Sequence, residues 1–246
     1  MWGIMDWNTK DEALIEEWKR KLIERYENEA ETYDQDRSYK LTGKIEDNRQ
    51  LRRLLSIIRP RTAEPILECA CGTGRFLNYF RKRGYEVIGL DPSKKMREIA
   101  GENTVAGDTE NIPFPDETFQ HVYCMKLFRS LPNVTMVNGV REMLRVTKPT
   151  GSVFVDLPHC GLMTNLGYGT GLVRGIRSRI FSFPEVERIF NGFSYKMHAR
   201  FPRYLPEFKS NLFSYSNFAL EILPLGKKMS SQIVLEFKKC YNPMAK

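Results

Sequence analysis

The chain has 246 residues, 41% of them hydrophobic, enough for one or two domains with a full core. It contains no run of about 18 apolar residues that would mark a membrane span, and its start, MWGIMDWNTKDEA, lacks the order of a secretory signal; five cysteines at irregular spacings argue against a disulfide framework and for a reducing, cytoplasmic setting. A net charge of +8 permits RNA, acidic lipid headgroups at a membrane surface or phosphorylated substrates as partners, but Glu is interleaved with Lys and Arg in EEWKRKLIER and FRKRGYE, which favours a solvated basic surface over a nucleic-acid site.

Residues 9–31 read as one amphipathic helix. Thr9 and Glu12 fit a capping box, and Leu14, Ile15, Trp18, Leu22, Ile23 and Tyr26 recur at helical spacing as a packing face. From residue 65 strands and helices alternate. PILECA is a short buried strand followed by a glycine turn. RFLNYFRKRG places Phe76, Leu77 and Phe80 on one helical face and stops at Gly84. EVIGLD is a second strand, and Ser93 caps the helix KKMREIA, which ends at Gly101. TVAGD and FQHVYC are the third and fourth strands. A helix over 134–147 turns Val140, Met143 and Leu144 inward, and the turn KPTG leads into a fifth strand, GSVFVDL.

The last third differs. Residues 158–181 carry five glycines among aromatic side chains and arginines. Ser182 and Glu185 form a second capping box ahead of the helix PEVERIF, which stops at Gly192. FSYKMHARF alternates like a strand with Tyr195, Met197 and Ala199 on one side, LFSYSNFALEIL reads as a short helix, and QIVLEFKK is a final strand. The expected fold is therefore α/β: a Rossmann-like, doubly wound, mostly parallel seven-stranded sheet with an antiparallel edge hairpin and an N-terminal helical extension. Residues 1–60 form the extension or lid, and residues 61–246 the main domain with an insert at 158–181.

In an open parallel sheet, ligands bind at the carboxyl ends of the strands where strand order reverses. The first turn, Glu68-Cys-Ala70-Cys-Gly72-Thr-Gly74, stands at that point. A dinucleotide fingerprint requires G-x-G-x-x-G, and the third glycine position holds Leu77. A phosphate-binding P-loop is excluded because no Gly-Lys-Ser/Thr follows. Cys69 and Cys71 have no second pair nearby in sequence, so no metal site is assigned and they read as small buried residues of the turn.

The pattern Glu68-x-Ala70-x-Gly72-x-Gly74 resembles the first motif of class I S-adenosylmethionine-dependent methyltransferases. Asp91 closes the second strand seventeen residues after Gly74, AGDTENIPFPDETFQHVYC resembles the family's third and fourth blocks, and REMLRVTKPTGSVFV its following helix, turn and fifth strand. The segments YENEAETYD and FSFPEVERIFNGFSY resemble the ubiquinone/menaquinone C-methyltransferase branch. The resemblance covers about residues 60–157. It departs where Ala70 replaces the usual Gly and where Gln120, beside His121, replaces the usual Asp.

The resemblance implies S-adenosylmethionine as cofactor, with S-adenosylhomocysteine as product, and methyl transfer to a small-molecule or apolar, lipid-like acceptor. It implies that Glu68 meets the cofactor's amino group, that the backbone of Ala70, Gly72 and Gly74 approaches its amino-acid tail, and that Asp91 takes the ribose. Pro92 then packs beside the adenine, Asp108 and Thr109 meet the adenine edge, and Met125 faces the methionine moiety. No catalytic residue is assigned; His159, Tyr33 and Arg129 are the candidates for acceptor chemistry, and His121 reads as a core histidine. The place where amine and amide methyltransferases carry Asn/Asp-Pro-Pro-Tyr/Phe reads MKLFRS, which argues against those acceptors, and Asp156 alone is too few ligands for metal-dependent O-methylation of catechols. The alternatives are an RNA methyltransferase and a non-catalytic, cofactor-binding partner subunit, the second favoured only by Gln120.

Overall fold

The computed structural model describes residues 6–38, 51–52, 54–159, 172–173, 176–177, 179–200 and 232–239. Helix α1 (Glu12–Glu29) is capped by Asp11, whose Oδ1 accepts from the backbone N–H of Ala13 at 3.0 Å and of Leu14 at 3.2 Å. This corrects the expected Thr9–Glu12 capping box: the Thr9 hydroxyl accepts from Asp11 N–H instead, and the helix starts later. Ile15 and Leu22 are buried as the periodicity requires, whereas Leu14 is 51% exposed. A short helix, α2 (Tyr33–Ser38), follows, and residues 54–58 are helical.

The sheet then begins. β1 (Ile66–Cys69), α3 (Arg75–Arg81), β2 (Val87–Leu90), α4 (Lys94–Ala100), β3 (Thr104–Val105) and β4 (Phe119–Cys124) alternate in chain order. A single 3-10 turn over Phe128–Ser130 leads to α5 (Asn133–Val146) and β5 (Thr147–Pro158). The two-residue strands β6 (Leu172–Val173) and β7 (Ile176–Arg177) pair with each other; α6 (Phe183–Ile189), β8 (Tyr195–Arg200) and β9 (Gln232–Phe237) complete the set. The seven-stranded sheet has the order β3-β2-β1-β4-β5-β9-β8. Strands β1 to β5 pair in parallel, and β9 pairs antiparallel with both β5 and β8, which is the expected edge hairpin. Strand order reverses between β1 and β4.

The central strands are apolar runs because both faces are covered. Leu67, Val122, Val153 and Leu235 face the core that holds Val140, Met143 and Phe237. Ile66, Tyr123 and Phe154 face the other, with Phe76, Phe80, Leu54 and Ile58. Ser93 Oγ caps α4 by accepting from Met96 N–H at 3.1 Å, and Glu185 Oε2 accepts from Ser182 N–H at 3.4 Å ahead of α6. Tyr195 and Met197 pack on the core as the alternation requires, and Leu144 is half-buried against it.

Two strands differ from expectation. TVAGD yields only two strand residues, because Gly107 packs beneath Leu90 and Pro113 and Asp108 folds back to bridge Asn111. KPTG is not a turn: it belongs to β5, whose register against β4 shifts between Phe119 and His121. A Cβ at Gly151 would stand 2.1 Å from the Gln120 carbonyl oxygen, so only glycine allows this approach. The insert lies mostly outside the described residues, and the expected helix at 212–223 wholly so.

Candidate cofactor site

The carboxyl ends of β1, β2, β3 and β4 open into a cleft of about 850 Å³, solvent at its mouth included, roofed by α1. Of the residues expected at the site, Ala70, Gly72, Asp91 and Pro92 line it, as do Asp108, Thr109 and Met125.

The loop after β1 is held in an unusual conformation. Ala70 and Gly72 both have positive φ, at 55° and 54°, and a Cβ at Gly72 would meet nothing within 4 Å. Asp91, at the end of β2, is 7% exposed. Its Oδ2 accepts from Gly72 N–H at 2.8 Å and its Oδ1 from Ser93 N–H at 2.9 Å. Burial pushes its carboxyl pKa up, opposed by these two N–H groups. Both oxygens are thus oriented, and each keeps a second lone pair for a hydroxyl donor. Arg97 braces the same loop through the carbonyls of Asp91 and Pro92, at 2.6 and 3.0 Å. Asp108 spends Oδ1 on the backbone N–H groups of Glu110 and Asn111, at 2.7 and 3.0 Å. Its Oδ2 lies 3.7 Å from Lys19 Nζ, beyond a good hydrogen bond, and so keeps accepting capacity.

Glu68 and Gly74 stand elsewhere. Glu68 is 2% exposed and lies beneath the cleft, where its Oε2 accepts from the Tyr123 hydroxyl at 3.1 Å. It is not among the lining residues, and burial pushes its pKa up to about 8. Gly74 precedes α3 with φ +77°, and a Cβ there would stand 2.8 Å from Ala100 Cβ, so it serves helix packing. His159 points into the protein: Nδ1 lies 2.8 Å from the Phe181 carbonyl oxygen, and the ring stacks on Phe183 at 3.9 Å. Arg129 is not among the lining residues, whereas Tyr33 is. His121 is buried, 3.7 Å from Glu64. Cys69 and Cys71 are buried, and burial raises both thiols.

The N-terminal segment, read in sequence as an extension or lid, supplies the roof: Lys19, Leu22, Ile23 and Tyr26 of α1 line the cleft, and three of these belong to the stripe read as a packing face. Polar contacts from Lys19, Glu27 and Asp34 tie this segment to the loops after β1, β2 and β3. Thr73 Oγ1 donates to Asp34 at 3.0 Å, Ser93 Oγ donates to Glu27 at 2.5 Å, and Lys19 Nζ pairs with Glu110 at 3.0 Å beside Asp108. Met96, Lys126, Leu131 and Thr135 also line the cleft. The buried Thr135 hydroxyl has no hydrogen-bond partner among the described residues. One wall is therefore apolar, and the floor carries two oriented carboxylates beside an open glycine backbone. That set of acceptors fits a nucleoside with an amino-acid tail: hydroxyls donating to Asp91, an exocyclic amine to Asp108, and a chain passing over Gly72.

Comparison with known proteins agrees with this geometry. A methyltransferase domain model matches residues 67–155. A malonyl-[acyl-carrier protein] O-methyltransferase of Erwinia pyrifoliae is 38% identical over 106 residues, covering 41% of this chain and 40% of that protein. A demethylmenaquinone methyltransferase of Thermobifida fusca is 34% identical over 122 residues, covering 44% and 51%. The chain thus spans about half or less of the length of these relatives. The crystal structure of an S-adenosylmethionine-dependent methyltransferase from Thermotoga maritima superposes with a TM-score of 0.60 at 18% identity, covering 86% of this chain and 98% of that one. Residues 67–155 thus match a methyltransferase domain, and the chain shares its fold with that S-adenosylmethionine-dependent methyltransferase.

Proposed function

We propose that the protein transfers a methyl group from S-adenosylmethionine to a small-molecule or apolar acceptor. One observation carries the reading: the loops after β1, β2 and β3 present Gly72, Asp91 and Asp108 along one cleft. S-adenosylmethionine supplies an activated sulfonium methyl. The chain's task is then to hold, align and exclude water. Asp91 takes the ribose hydroxyls, Asp108 and Thr109 take the adenine edge, and Pro92 packs beside it. Ala70 and Gly72 let the backbone approach the tail, and Met125 faces the methionine moiety. Glu68 supports the turn from below through Tyr123, and Gly74 sets the approach of α3.

Within the N-terminal extension, α1 and the residues just after it, to Asp34, act as the lid of this site. Their contacts from Lys19, Glu27 and Asp34 reach all three loops, so closure and cofactor retention are linked. Calorimetric titration with S-adenosylmethionine, S-adenosylhomocysteine and NAD tests the reading. The first two bind with micromolar affinity and NAD does not. Binding of NAD alone, or of none of the three, contradicts it.

A further inference from the structure

The strand order assigns positions along the cleft. Asp108 follows β3, Asp91 follows β2 and Gly72 follows β1, so base, ribose and tail run along the sheet in that order. The next strands are β4 and β5. Whatever meets the transferable end must therefore lie over these two, an argument that rests on the cofactor placement proposed above.

Here the structure holds one residue in a strained state. Lys126, two residues beyond β4, has φ +71°, a left-handed backbone that a non-glycine residue adopts only when its surroundings impose it. The imposing group is Asp156 of β5, which is 2% exposed. Its Oδ1 accepts from Lys126 N–H at 2.5 Å, and its Oδ2 lies 3.4 Å from Lys126 Nζ. Gln232 of β9 donates to the same Oδ2, which fixes the carboxylate from the antiparallel edge. A buried carboxylate thus turns a lysine backbone and steers its ammonium at the wall of the cleft, of which Lys126 is a lining residue. Leu127, Leu131, Leu22 and Ile23 line the same cleft with apolar side chains.

We propose that Lys126 is an acceptor-binding residue that selects an apolar molecule ending in a carboxylate, and that Asp156 is its positioning residue. The ammonium engages one carboxylate oxygen and leaves the other facing the cofactor. A carboxylate carries its own lone pairs and needs no proton removed.

Octanoate and octanamide serve as probes, since they share shape and differ in charge. The full chain is first titrated with S-adenosylhomocysteine, which tests the cofactor reading alone. The probes are then titrated by calorimetry against the saturated protein, or against the protein by itself if the nucleoside does not bind. Octanoate binds about tenfold more tightly than octanamide. Lys126→Met reduces that ratio to about one, and Lys126→Arg restores most of it. Asp156→Asn narrows the ratio while affinity for S-adenosylhomocysteine stays within about twofold, an effect that loss of folding would not give. Failure of octanoate to bind, equal binding of the two probes, or a preference that survives Lys126→Met overturns the inference.

Discussion

The two ends of the cleft are built in different ways. On the β1–β3 side each group comes from the loop that directly follows its strand, and neighbouring backbone fixes it: Asp91 by Gly72 and Ser93, Asp108 by Glu110 and Asn111. On the β4–β5 side the groups come from far apart in sequence. Lys126 is set by Asp156, thirty residues on, and Asp156 by Gln232 of β9. Short-range loops can be read from a pattern of residues, whereas an assembly of distant segments cannot. The first kind suits a ligand common to a fold, and the second a ligand particular to one protein.

The sharpest way to break the cofactor side lies within its own glycines. Gly74→Ala adds a Cβ at φ +77° and 2.8 Å from Ala100, so strain and overpacking together destabilise the fold by about 2–4 kcal/mol, measured by urea denaturation. Gly72→Ala meets no atom within 4 Å and costs about 1 kcal/mol of stability from its φ alone, but it weakens S-adenosylhomocysteine binding because the new methyl points into open space at the cleft. If both variants lose stability equally, the division between a packing glycine and a ligand-facing glycine is wrong.

Next in size is a pH effect beneath the same loop. Burial raises Glu68 from 4.5 to about 8, so the folded protein binds a proton that the unfolded chain releases across this interval. A raised acid makes stability fall as pH rises from about 4.5 to about 8, with no further change from this group above that window. Asp91, also raised, acts in the same sense. Glu68→Gln, which keeps an acceptor for Tyr123, flattens this decline in a series of denaturation curves. An unchanged slope means that Glu68 is ionised in the folded state.

The smallest effect concerns the roof. Glu27→Ala removes the acceptor of the Ser93 hydroxyl and loosens α1 from the loop after β2. Release of S-adenosylhomocysteine, followed by stopped-flow fluorescence, becomes about three- to tenfold faster while the melting temperature changes little. An unchanged release rate would mean that α1 is a fixed wall rather than a lid.

Much of this was legible. The apolar runs at β1, β4 and β5, the caps at Ser93 and Ser182 and the stops at Gly84, Gly101 and Gly192 are local signals, and the three glycines act through a positive φ. What misled was context. Asp11 outcompeted Thr9 as cap because it sits one residue before the first helical turn. KPTG looks like a turn, but Gly151 lets β5 run close beside Gln120. Glu68 occupies an acidic position of a binding motif, yet its alternation along β1 sends it inward to Tyr123. His159 stands just beyond β5 at the carboxyl end, but Phe183 and the Phe181 carbonyl hold it away from the cleft. Lys126 gave no signal at all, since nothing local marks a lysine whose backbone is turned by an aspartate thirty residues away.

In the proposed complex the cleft holds a ribose on Asp91 and an adenine on Asp108. Calorimetric titration of S-adenosylhomocysteine into the wild-type protein and Asp91→Ala tests it most directly, with denaturation curves for both. The wild type binds with micromolar affinity and the folded variant about a hundredfold or more weakly, since a buried carboxylate that accepts from two hydroxyls is removed. Equal affinity of the two proteins would contradict it.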